Sequence, residues 1–227
     1  MTPYNQMAEA QFQQGLSIAQ QALMAEQSMG NLPAAAQGYD QAIGLMFNAL
    51  NSVVQPSDGA LFNYAVCQFN AARVKVALGL GQFAPMHLGQ AHEALAQAIG
   101  QNPGYFIYHS AMGMVLVGEG NASLAEQAFK RALQLNPSDS WSQWMLASLC
   151  ATRGNVKSAR TYYAAALQAQ PDLPEPSGMS GGRRDKAEHA NWMDVFVEGA
   201  KLLNNVYDVF SSDQTQGQSE GGNGSNW

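Results

Sequence analysis

Charge is scarce in this chain. Only 12% of its 227 residues are Asp, Glu, Lys or Arg, and the 11 basic residues gather no closer than the adjacent pairs Lys130-Arg131 and Arg183-Arg184. Phosphate binding needs grouped cations, so the composition argues against nucleic acid as a partner. No run of about 18 apolar residues occurs, so no membrane span is expected. The start, MTPYNQMAEAQFQQ, lacks a basic stretch followed by an apolar block, so no secretory signal is expected either. Cysteine is sparse as well: Cys67 and Cys150 stand far apart in apolar surroundings. They read as buried free thiols in a reducing compartment, and the expected location is cytoplasmic.

Catalytic signatures are missing too. Of the histidines His87, His92, His109 and His189, the first two fall on different sides of a helix, and no cysteine joins them at a metal-ligand spacing. His92-Glu93 reads as a solvated helix face. Gly118-Glu119-Gly120 reads as a helix end and not a phosphate loop, and no Gly-x-Ser-x-Gly elbow is present. No catalytic residue, metal or cofactor is assigned, and the chain is expected not to be an enzyme.

What is present is a repeat. Gly120, Ala125, Phe129, Ala132 and Pro137 recur 34 residues later as Gly154, Ala159, Tyr163, Ala166 and Pro171. Met112, Gly113, Asn121 and Leu133 recur as Leu146, Ala147, Asn155 and Leu167. Each position has a physical reason. Gly120 and Gly154 end a helix in a left-handed cap, and Asn121 and Asn155 are placed to cap the next helix. Ala125 and Ala159 are small where two helices cross, and Phe129 and Tyr163 fill the space between hairpins. Pro137 and Pro171 stop the second helix.

These residues resemble tetratricopeptide repeats, helix–turn–helix units of about 34 residues. The resemblance covers residues 104–137 and 138–171 and departs from the pattern in places. The early aromatic is offset, at Tyr108 in one copy and Trp144 in the other, and the bulky residue late in the first helix is Leu116 in one and Cys150 in the other. Upstream, Pro103, Ala98, Leu95, Ala91 and Gly79 mark a degenerate copy over 58–103, with a loose turn at 79–85. Residues 1–57 form an atypical hairpin around Gly30-Asn31. This hairpin also resembles a microtubule-interacting-and-transport module whose third helix would be 58–80. The expected fold is therefore all-α, a right-handed α-solenoid of tetratricopeptide-like hairpins.

After Pro171 the composition changes. Up to that residue there are 7 basic and 8 acidic side chains; after it there are 4 and 9. Residues 172–184 read as a Pro- and Gly-rich linker. Residues 185–210 read as an amphipathic helix with the stripe Trp192, Phe196, Gly199, Leu203, Val206 and Phe210. The composition of 211–227 reads as a disordered tail. The helix is expected to cap the last hairpin or else to lie in the groove of its own or another chain.

The resemblance implies that binding occurs on the concave face made by the first helix of each hairpin. There the sequence puts Ile107, Ser110, Met114 and Val117, then Trp141, Trp144, Ser148 and Ala151. Some family members hold a carboxylate at such places with Lys, Asn and Arg. Here Ser110, Met114, Trp144 and Ser148 take those places, so that clamp is absent. An apolar, aromatic groove remains, suited to a helix or an extended segment of a protein partner. The implied function is a non-catalytic scaffold, adaptor or assembly chaperone. The alternative is a structural component that forms homo-oligomers through the C-terminal helix or the groove.

Overall fold

The computed structural model describes residues 3–177, 179, 195, 196 and 199. Helices begin where a polar side chain or a proline can open them. Asn31 accepts a hydrogen bond from the Ala34 amide at 3.1 Å, with Pro33 in the first turn. Ser57 does the same for Ala60 at 3.2 Å, and Asn155 for Ser158 at 3.2 Å. Each leaves one fewer amide proton without a partner. Asn121 differs from the sequence expectation: its side chain makes no capping bond to the α6 amides, and its amide instead donates to Glu119 at 3.4 Å.

Eight α-helices follow among the described residues, with no strand. They are α1 (Pro3–Met29), α2 (Leu32–Asn51), α3 (Asp58–Ala77), α4 (Ala84–Gln101), α5 (Phe106–Gly118), α6 (Ala122–Leu135), α7 (Ser140–Thr152) and α8 (Val156–Ala169). Gly30, Gly79, Gly120 and Gly154 all have positive φ, between 59° and 79°. After each, the next amide reaches back to the helix: Asn31 to Ala25, Leu80 to Lys75, Asn121 to Leu116 and Asn155 to Cys150, at 2.8–3.0 Å. Glycine adopts this left-handed closure without a Cβ penalty. The stretch expected as a loose turn at 79–85 therefore closes α3 just as the others close, and then adds one 3-10 turn, Gly81–Phe83, before α4.

The chain divides into two compact units at Asn102/Pro103. In the first, α1 pairs with α2 and α3 with α4. Phe12, Leu16, Ala19 and Ala22 of α1 join Ala35, Tyr39, Ala42 and Met46 of α2 in the core. Helix α3 is buried continuously from Gly59 to Val74, polar residues included. Arg73 forms a bidentate ion pair with Glu26 of α1, both side chains being buried. Lys75 donates to Asp40 at 2.7 Å and to His87 Nε2 at 2.8 Å, which leaves the proton on Nδ1 to donate to Gln68 Oε1 at 2.6 Å. Gln68 in turn donates to Tyr64 and Gln90.

In the second unit α5 pairs with α6, α7 with α8, and α6 packs on α7. The first helix of each pair is buried on nearly every side, whereas α6 and α8 bury few residues: Ala125, Phe129 and Ala132, then Ala159 and Ala166. These are the positions that the 34-residue offset singled out. The reason for Gly113 is steric. A Cβ there would stand 2.6 Å from the Phe129 ring, so the aromatic residue of α6 lies directly on the backbone of α5. Ala147 occupies the matching place in α7 and is fully buried.

Candidate protein-binding site

Helices α5 (FIYHSAMGMVLVG) and α7 (SWSQWMLASLCAT) carry almost no charge. A helix without a polar face must bury itself all round. Polar contacts set their register: Ser110 of α5 donates to Asp139 at 2.9 Å and meets Ser142 of α7 at 2.7 Å. Both helices belong to the same unit.

Every expected groove residue is buried: Ile107, Ser110, Met114, Val117, Trp141, Trp144 and Ser148. Part of what covers them comes from this same chain. Val195, Phe196 and Gly199 are helical and buried. The Trp141 indole N–H donates to the Gly199 carbonyl at 3.1 Å. A Cβ on Gly199 would stand 2.5 Å from Met145 Sδ and 2.7 Å from Met114 Cε. Met114, Trp141 and Met145 thus form a cradle that the Gly199 backbone enters. Phe129 meets Trp141 in a T-shaped contact, with centroids 5.6 Å apart and planes at 79°. Trp141 therefore both packs between hairpins and contacts the occupant.

Trp144 acts elsewhere. Its indole N–H donates to the Pro174 carbonyl at 2.7 Å, and Tyr163 donates to the Leu173 carbonyl at 2.8 Å. Met179 is buried against Ala147, Ala151 and Ala159, beside Cys150, Tyr162 and Tyr163. The described residues 173–177 and 179, within the stretch read as a linker, thus lie along the flank of the last hairpin. Of the stripe expected on the C-terminal helix, Phe196 is described and fully buried. Trp192, Leu203, Val206, Phe210 and the tail 211–227 lie outside the described residues.

Sequence reasoning missed Met145, which lies one position beyond Trp144 and off the face assigned to the groove. It placed Gly199 in the helical stripe without reading it as a point of close backbone approach. Ionisation offers no candidate nucleophile here. Burial pushes the Cys150 thiol up, and the Cys67 thiol further still, so neither is a ready thiolate. No group of His, Cys, Asp and Glu able to hold a metal ion occurs among the described residues.

Paired helices repeating at a fixed period, with an apolar first helix and an exposed second one, define a helical-repeat protein. Residues 87–140 and 110–174 match the tetratricopeptide repeat family, so that stretch carries tetratricopeptide repeats. Repeats of this family typically bind proteins and do no chemistry themselves. Comparison with curated proteins finds no match. No helix among the described residues is long and apolar enough to cross a membrane.

Proposed function

We propose that the chain is a non-catalytic, cytoplasmic scaffold, adaptor or assembly chaperone that holds an apolar helix or extended segment of a protein partner in the α5/α7 groove. The observation that carries this reading is the cradle of Met114, Trp141 and Met145, which takes a helical backbone and gives it a directed hydrogen bond. Thioether side chains adapt to different apolar ligands at little cost, and an indole adds a fixed donor. The test is affinity capture with the intact chain and with Met114→Glu, both verified as helical by circular dichroism. Proteins held by the first and lost by the second support the groove; an identical set of captured proteins rejects it.

A second reading, self-assembly, rests on the occupant being part of the chain itself. Fifteen residues, 180–194, separate Met179 from Val195. Fully extended, they could reach about 50 Å, enough to deliver the segment to another copy. Light scattering on the full chain decides between the readings: a dimer that dissociates on Phe196→Ala favours self-assembly.

A further inference from the structure

This inference rests on the groove reading above and specifies what the groove accepts. We infer that the segment carrying Val195, Phe196 and Gly199 is an intramolecular ligand of the α5/α7 groove, and that an outside partner must displace it with a helix of the same design. That design is a small residue, glycine first, seated on Met114, Trp141 and Met145, with a large apolar residue three positions before it.

Three observations converge on it. Phe196 is fully buried, so the segment has an apolar anchor. Gly199 follows one helical step later on the same side and has its backbone within the two methionine side chains. The Trp141 N–H reaches the Gly199 carbonyl, a bond that needs this close approach. The steric rule is graded. An alanine Cβ would meet the far ends of Met114 and Met145, which can swing aside. A leucine or valine would force both thioethers out and lift the carbonyl away from Trp141. The groove thus selects by backbone approach as well as by apolar surface.

Tethering makes the segment a strong competitor. A ligand on a short linker acts at an effective concentration of about a millimolar. An outside helix sees only the fraction of molecules whose groove is open, and its apparent affinity falls by that fraction. Loosening the segment should therefore expose a groove that is already built.

The test uses the full chain and a fluorescein-labelled peptide of residues 190–206, followed by anisotropy. Gly199→Leu in the chain should raise its affinity for the wild-type peptide at least tenfold. The same substitution in the peptide should abolish its binding to either chain, whereas Gly199→Ala should weaken it only a few-fold. Equal peptide affinity for the wild-type and Gly199→Leu chains, both helical by circular dichroism, would overturn the intramolecular ligand. A Gly199→Leu peptide that binds as well as wild type would overturn the steric rule. If the Gly199→Leu chain loses helicity, Phe196→Ala in the chain replaces it with the same expected gain. Partner capture that still depends on Met114 while the chain variants bind peptide no better would sink this inference and leave the groove reading standing.

Discussion

Helix α3 in the first unit and helices α5 and α7 in the second occupy the same place in their hairpins but hold their neighbours by different chemistry. Around α3 the apolar packing is joined by ionic and amide contacts: Arg73 on Glu26, Lys75 on Asp40 and His87, and Gln68 on Tyr64, His87 and Gln90. Around α5 and α7 they are ring edges, thioethers and bare backbone, with Ser110, Asp139 and Ser142 as the polar tie between the helices. Directional polar bonds admit one arrangement and are costly when half-made. Apolar contacts tolerate repacking. Polar ties of this kind hold α3 in one arrangement, whereas the apolar contacts of α5 and α7 can repack more easily.

The sharpest way to break this contrast is to remove one half of the buried ion pair. Glu26→Gln should destabilise the chain by about 3 kcal/mol, because Arg73 keeps its charge without the carboxylate. Adding Arg73→Met should recover much of that loss. Chemical denaturation would show it; a loss below about 1 kcal/mol would mean that the pair does not hold α3.

Steric tests on the second unit come next. Ala159→Leu should cost about 1–3 kcal/mol through overpacking at the α7/α8 crossing, since Ala159 is fully buried. Ala164→Leu, on the exposed side of α8, should be near neutral. Equal effects at both sites would show that burial does not decide the cost. Trp144→Phe should cost less, about 1 kcal/mol, from the lost bond to the Pro174 carbonyl. Limited proteolysis within residues 172–180 should accelerate in this variant and stay unchanged in Trp141→Phe.

The smallest effect is on pH dependence. Burial, followed by the charge of Lys75, holds His87 below the usual imidazole value, with Asp40 opposing. A folded-state pKa below the unfolded one means that the unfolded chain takes up the proton first. Neutral His87 thus contributes stability that is fully present above about pH 6.5 and lost as pH falls below it. Melting temperatures at pH 7.5 and 5.5 should differ more for the natural chain than for His87→Gln. The same drop in both would remove His87 from the cause.

Residues near one another in sequence were enough to write the hairpins. A glycine that closes a helix, an alanine at a crossing and a proline beyond the end act within a turn or two, and their recurrence every 34 residues could be read directly. Gly79 shows how far that legibility reaches. The residues after it looked loose, yet the helix closes in the same way, because the closure depends on the glycine and not on the loop.

The long-range contacts were decided elsewhere. Glu26 and Arg73 are 47 residues apart, and Trp141 and Gly199 are 58 apart. No local pattern links such pairs. Whether Trp141 packed between hairpins or faced a ligand could not be told from helical spacing, because a ring that size does both, and only the fold shows Phe129 at its side and Gly199 at its N–H. Asn121 and Asn155 make the same point in miniature: in equivalent places, one caps its helix and the other turns to Glu119. Periodicity determines which backbone forms, because helices and their ends are local. Which side chains meet across that backbone depends on distances that folding alone creates.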